Sequence, residues 1–291
     1  MMKWSPWLRH CNSPKLCYYA VYLWHCGSNR SKRGNQYSTI KLKLASVRWY
    51  HRRFLGRTID LSPRLRILLQ GIKRQSNPTT KKQPITPAFL RLLRRSLNLS
   101  DPRQRLLWGS VLLGYFFLLR RSEYLKIGST RSFYCLKSSN ALFTNEKGSP
   151  ADPRKATAVT IGLEGSKNDQ FGRGAWRTMH KSGDRCLCPV RALHHIFAAR
   201  RALKMSSHRY LCLDLDAKTV SQALKNTAAS IGVSPSNYST HSLRSGGATA
   251  LLSGKADSLS IKLLGRWMSS CFEEYPLQSA ASTVDLSRRM V

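Results

Sequence analysis

THSLRSGG, from Thr240 to Gly247, and LGRWMSSCFEEY, from Leu264 to Tyr275, are the stretches on which the reading of this chain turns. His241 and Arg244 stand three residues apart, a spacing that puts both on one side of a helix. An arginine, a tryptophan and a tyrosine follow at Arg266, Trp267 and Tyr275. Guanidinium, imidazole and indole groups donate hydrogen bonds to phosphate oxygens, and a phenol among cations serves as an oxygen nucleophile. The combination suits gripping a phosphodiester while a tyrosine attacks it. Arg120 and Lys167, upstream, add two further cations to the set.

The 291 residues include 49 Lys+Arg against 14 Asp+Glu, a formal charge of +35. The first hundred residues hold a single acid, Asp60. With 42% apolar residues the chain has enough for a core, so the charge sits on a folded body. So one-sided a surface fits a polyanionic partner, and nucleic acid leads because phosphate neutralisation releases counterions. The basic residues are spread along the chain instead of lining one amphipathic face, which disfavours a membrane surface. The longest apolar run, Val111 to Leu119, is too short to span a bilayer. The eight cysteines show no disulfide framework, which favours a reducing, intracellular compartment. Neither Cys11, Cys17 and Cys26 with their neighbouring histidines, nor Cys186 and Cys188, has the spacing of a metal site. No metal and no cofactor is expected.

Along the chain, YSTIKLKLASVRWYHRRFL (Tyr37 to Leu55) sets Ile40, Leu44, Val47, Trp49 and Phe54 among Lys41, Lys43, Arg48, Arg52 and Arg53. This predicts a helix packed through the apolar set and facing phosphates with the basic one. A short helix follows from Pro63 to Ile72, and KRQSNPTTKKQP reads as a linker. Thr86-Pro87 and Asp101-Pro102 each open a helix, to about Leu97 and Leu119. SFYCL, ALFTN and AVTIGL, between Arg131 and Leu163, read as strands. FGRGAW (Phe171 to Trp176) reads as a flexible loop. Helices return at 189–203, 218–229 and 239–252, and from Ser258 to about Tyr275. Gly246 and Gly247 cost a helix about 1 kcal/mol each, which close approach of the backbone to a partner would explain. The expected fold is mainly α with a small antiparallel β-sheet, an α+β arrangement. Its expected parts are a helical domain over 1–78, a linker over 79–85, a catalytic domain over 86–278 and a tail over 279–291.

Four ordered motifs make the chain resemble the tyrosine recombinase (phage integrase) family: FFLLRRSEYL, GSKNDQFG, His241-Ser-Leu-Arg244, and LGRW followed by a tyrosine. HKSGDRCLCPVRAL and LLWGSVLLGYFFLLRRSEYL are similar to eukaryotic Crypton-type mobile-element recombinases. The resemblance implies a SAM-like core-binding domain around Tyr37 to Ile72 and a catalytic domain from Thr86 to Leu277. It implies that Arg120 and Arg244 bind the phosphate, Glu123 supports Arg120, Lys167 lies on a β-hairpin, and Tyr275 is the nucleophile. Trp267 takes the family's His/Trp position. It lies one residue closer to the tyrosine than is usual, and the usual step lands on Arg266, so the position stays open between the two. The resemblance further implies double-stranded DNA as partner, a homotetramer on paired sites and strand exchange, which for a eukaryotic element means the nucleus.

Each residue alone has a bland reading: Arg120 as the polar end of a buried helix, Lys167 as a solvated lysine, Tyr275 as a surface-reaching aromatic. Their joint order favours the catalytic one. A type IB topoisomerase would use the same chemistry on one duplex. A catalytically silent DNA-binding derivative would keep the fold without the reaction.

Overall fold

A computed structural model of the chain describes residues 8, 13–27, 33–76, 81–166, 169, 172–267 and 273. They divide into two compact units, Met1–Thr80 and Lys81–Val291.

The first unit holds three helices, α1 (Ser13–His25), α2 (Tyr37–Leu55) and α3 (Pro63–Gln75). Leu16, Ala20 and Leu23 of α1 meet Ile40 and Leu44 of α2 and Leu65, Leu69 and Ile72 of α3 in one core. Helix α1 has no counterpart among the sequence-based expectations, which weigh its Cys17 and His25 together with Cys11, Cys26 and His10 as metal ligands. Helix α3 is opened by Ser62, whose hydroxyl accepts the Leu65 N–H at 3.3 Å, with Pro63 in the first turn where its missing N–H costs nothing. In α2 one expectation fails. Trp49 and Phe54 are 62% and 60% exposed, because the inward stripe runs through 40, 44, 47 and 51 and both aromatics fall outside it. Lys41, Arg52 and Arg53 are exposed and Lys43 is half-buried. Arg48 donates from Nε to the Ile59 carbonyl at 2.7 Å, so part of its donor capacity is spent on the loop after α2.

The second unit contains α4 (Pro87–Arg95), α5 (Pro102–Phe116), α6 (Arg121–Tyr124), β1 (Ala141–Thr144), β2 (Ala158–Leu163), β3 (Ala175–His180), α7 (Pro189–Ala202), α8 (Ala217–Ser230), α9 (Thr240–Ser253) and α10 (Ser258–Gly265). Residues 81–85, expected as linker, belong to this unit: Gln83 and Ile85 donate backbone hydrogen bonds to Asn237 and Ser242, and Ile85 is buried. Helix α5 is apolar all round and buried from Leu106 to Tyr115, as expected of a helix covered on every side. It packs on α7 and α9, and α7 also covers the sheet. The sheet is antiparallel in the order β1-β2-β3, with all of β2 buried. Thr144, Thr160 and Thr178 form a hydroxyl ladder across it, at 3.2 and 2.8 Å.

The mainly helical architecture with a small antiparallel sheet agrees with the sequence; three further local expectations do not. SFYCL is a turn, because Cys135 and Leu136 plug into the core while the Leu136 amide bonds Glu123 and its carbonyl takes Leu211. AWRTMH is the third strand, where FGRGAW reads as loop from sequence. Helix α10 ends at Gly265 and not near Tyr275, because Arg266 turns left-handed at φ 56°. No helix among the described residues is long and apolar enough to cross a membrane.

Candidate active site

Three separated segments of the second unit converge: the turn after α5, the start of α9, and the end of α10. After α5 the chain reverses through Phe117-Leu118-Leu119. Leu118 sits at φ 49°, a left-handed conformation that costs a branched L-residue about 1–2 kcal/mol. Two sets of interactions hold it there. Its side chain is buried with Ala248, Ile261 and Trp267, and its carbonyl accepts from Nη1 of Arg244 and, at 3.5 Å, Nη2 of Arg266. The strained residue thus carries an acceptor for two cations.

Arg120 follows as the residue before α6. Its amide donates to Glu123 Oε2 at 2.7 Å and its Nη1 to Oε1 at 3.0 Å. Glu123 is fully buried, and Arg266 Nη2 donates to its Oε2 at 2.6 Å. One carboxylate therefore positions two guanidinium groups. Arg266 further donates to the Leu264 carbonyl at 2.9 Å, and its side chain is only 8% exposed. Burial lowers its pKa, with Glu123 acting in the opposite direction.

Helix α9 supplies His241 and Arg244. Ser239 caps it by accepting the His241 amide, and Ser242 returns a bond to the Ser239 amide, a reciprocal arrangement that fixes the first turn. Arg244 is buried. It donates to the carbonyls of Leu118 and Gly265, and its guanidinium carbon lies 4.1 Å from the centre of the Trp267 ring, within cation–π range. The Trp267 ring also covers Gly265, where any side chain would collide with it. His241 lies at the surface of the same turn. Crowding of its ring by the surrounding protein, then the charges of Arg244 and Arg120, lower its pKa below the ordinary value, so at neutral pH the imidazole is uncharged and able to take up a proton.

The packing of α9 explains its glycines. A side chain at Gly246 would strike the Ile85 backbone, and one at Gly247 the Tyr115 carbonyl and Leu118. The close approach expected at these positions is to the chain's own backbone and not to a partner.

The structure thus brings together Arg120, Glu123, His241, Arg244, Arg266 and Trp267. Arg120 (side chain 20% exposed) and His241 face outward; the others form the floor. The site holds three guanidinium groups, Arg120, Arg244 and Arg266, and one carboxylate, Glu123, which pairs with Arg120 and Arg266, leaving positive charge in excess where an anion would sit. Lys167 falls in the connection between β2 and β3, whose last rung pairs Leu163 with Ala175; Lys167 and Tyr275 lie outside the described residues. Sequence reasoning missed the Leu118 carbonyl and Arg177, which donates to the Leu263 carbonyl at 3.0 and 2.9 Å and ties β3 to α10. No sequence signal marks a carbonyl. Arg177 is one arginine among many in the sequence, and recognising its strand would have singled it out.

No family model and no curated protein matches the sequence. Solved structures do match the fold. The XerH site-specific recombinase bound to a palindromic difH substrate, in a post-cleavage complex, has a TM-score of 0.56 at 12% identity, covering 96% of this chain and 70% of that one. The Tn1549 transposon integrase in complex with circular intermediate DNA has a TM-score of 0.53 at 12% identity, covering 96% and 84%. A lambda integrase dimer bound to a core site has a TM-score of 0.50 at 12% identity, covering 90% and 63%. The chain has the fold of tyrosine recombinases and integrases.

Proposed function

We propose that this chain is a site-specific DNA recombinase that breaks and rejoins DNA through a 3′-phosphotyrosyl intermediate. The observation that carries the proposal is that Arg120 closes on the buried Glu123 and Arg244 on the Leu118 carbonyl, with His241 one turn before Arg244 on α9. These residues come from motifs in the family order, on the fold of that family.

In this reading the phosphodiester lies against the outward edge of Arg120, with Arg244 beneath it as a fixed positive charge. Charge that builds on the non-bridging oxygens meets donors already held in place, which is where such donors are most effective. Tyr275 Oη attacks phosphorus, and the bond from phosphorus to the 5′-oxygen breaks. Neutral His241 accepts the phenol proton, and Lys167 donates a proton to the leaving 5′-oxygen. The phosphotyrosyl bond conserves the energy of the broken one, so a 5′-hydroxyl from either duplex restores the DNA backbone. Arg266 acts as a positioning residue through Glu123, and Trp267 supports the face of Arg244. The partner is double-stranded DNA, contacted also by Lys41, Lys43, Arg52 and Arg53 of the first unit. Assembly is as four protomers on two sites, in the nucleus.

The test is a suicide substrate that traps a covalent DNA adduct. The intact chain is expected to form it, and Tyr275→Phe to abolish it while DNA affinity stays within a few-fold. An undiminished adduct in that variant would assign the nucleophile elsewhere. Strand exchange that needs two matching sites distinguishes the recombinase. Relaxation of supercoiled plasmid without a special site would favour the topoisomerase, and DNA binding with neither activity the silent derivative.

A further inference from the structure

The second unit has another concave, cation-lined surface that none of these catalytic steps uses. An open cavity of about 490 Å³ is bounded by Arg154, Lys181, Arg185, Arg191, His194 and His195. It lies past the Ala158–His180 rung of the sheet, at the opposite end of β2 and β3 from the connection that carries Lys167. It is therefore separate from the candidate active site.

Its charge is uncompensated. Asp184 is the one acid in the wall. It is already engaged by Arg91 at 2.6 Å and by the Cys186 and Leu187 amides at 2.6 and 2.9 Å. The side chains of Arg154, Lys181, Arg185 and Arg191 form no ion pair with an acid among the described residues; the Arg154 backbone amide donates to Asp152 Oδ1 at 2.8 Å. On a convex surface four such cations would simply be solvated. Around a concavity their fields add within one small volume, and a multiply charged anion is the natural complement. The two histidines line the cavity without adding charge, and His194 engages the Pro153 backbone. Burial, then Arg105, Arg94 and Arg191, push His195 down to about 4, and burial foremost also lowers His194. Val190 and Arg191, in the opening turn of α7, also line the wall, and that turn has no side-chain cap from Cys188.

We infer that this cavity binds a compact oligophosphate, a small molecule carrying two or three phosphate groups in close succession. Its volume falls in the range of small-ligand sites, roughly 300–1,000 Å³. A phosphate group carries roughly −1.5 to −2 at neutral pH, so a short run of them offsets four cations. The phosphates of a duplex are instead strung along a convex rod and match an extended stripe better than a pit.

The probe is inorganic tripolyphosphate, titrated calorimetrically into the full chain. Two double variants of exposed wall residues are compared, Arg154→Gln with Arg191→Gln, and Lys181→Gln with Arg185→Gln. A control pair, Lys204→Gln with Lys218→Gln, removes the same charge from exposed positions elsewhere. Each cavity pair is expected to weaken tripolyphosphate binding by at least ~10-fold, as removal of two charge-assisted hydrogen bonds should. The control pair should stay within ~3-fold. In parallel, the salt dependence of duplex DNA binding should be the same for cavity and control pairs. Equal weakening by cavity and control pairs, or no binding by the intact chain, would overturn the site. A duplex salt slope flattened only in the cavity pairs would assign it to the DNA backbone and overturn the oligophosphate.

Discussion

Glu123 is the residue on which the site hangs, since Arg120 and Arg266 both close on its carboxylate. Removing one partner of a buried ion pair costs about 3–5 kcal/mol, because the other charge is left stranded. Glu123→Gln is therefore expected to lower stability by about 3 kcal/mol in urea denaturation, and to reduce cleavage by misplacing Arg120. Arg120→Lys should separate the two effects. A point charge cannot reproduce the planar fork, so cleavage of a suicide substrate should fall at least ~10²-fold, while the urea midpoint stays near that of the parent. Cleavage at the parental rate in that variant would remove Arg120 from the site. His241 makes a second prediction. Since crowding of its ring by the surrounding protein and the charges of Arg244 and Arg120 lower its pKa, the rate of cleavage should rise with pH through a midpoint below the ordinary value of 6.5. Arg120→Gln should move the His241 titration upward in an NMR experiment, because a repelling charge is gone. No upward movement would mean that the two groups do not interact. At this scale the sequence was informative for residues whose chemistry is rare in combination, such as His241 with Arg244. It was ambiguous for Arg266 and Trp267, because adjacent side chains take opposite duties, one reaching Glu123 and the other covering Arg244.

Helix α9 illustrates how tertiary packing overrides local propensity. Replacing glycine by alanine in a helix ordinarily gains about 1 kcal/mol. At Gly247 the added methyl would strike the Tyr115 carbonyl and Leu118. Neither yields easily, since one is backbone and the other a buried side chain. Gly247→Ala is accordingly expected to destabilise by about 1–3 kcal/mol, read as a lower urea midpoint. A gain in stability would show that α9 does not seat on the turn after α5. The same contrast governs which elements were legible. Helices opened by a capping residue and proline, such as α3, α4 and α5, announce themselves locally. So do β1 and β2, as short apolar runs. Strand β3 does not. Its residues are at most half-buried, so no apolar alternation marks it, and two glycines precede it. The left-handed end of α10 is equally hidden, because it joins a side chain, Arg266, to a carboxylate far away in sequence. Helix α1 is readable from Leu16, Ala20 and Leu23 at helical spacing, but the cysteines and histidines in and beside it draw attention to metal chemistry instead.

Over the whole molecule the dominant quantity is the net charge of +35, which alone predicts affinity for any polyanion. What needs testing is whether named cations make discrete contacts within that field. Every duplex phosphate that a side chain ceases to neutralise flattens the log–log salt dependence by about 0.9. Exposed cations of α2 and cations tied to the chain should then behave differently. Lys41, Arg52 and Arg53 are exposed, so neutralising any of them should weaken binding alike on all sequences and flatten the slope by about one such increment. Arg48 is half-buried and anchors the Ile59 carbonyl. Arg48→Ala should mainly loosen the loop after α2, leaving the slope closer to that of the parent and lowering the stability of the first unit. The order of slopes among these single variants, measured on one duplex across a salt series, is the deciding observation. If Arg48→Ala flattened the slope as much as Arg52→Ala, its hydrogen bond to Ile59 would not restrain it when DNA is bound. If none of the four changed the slope, α2 would not face the phosphates, and the charge of the first unit would act only as a diffuse field.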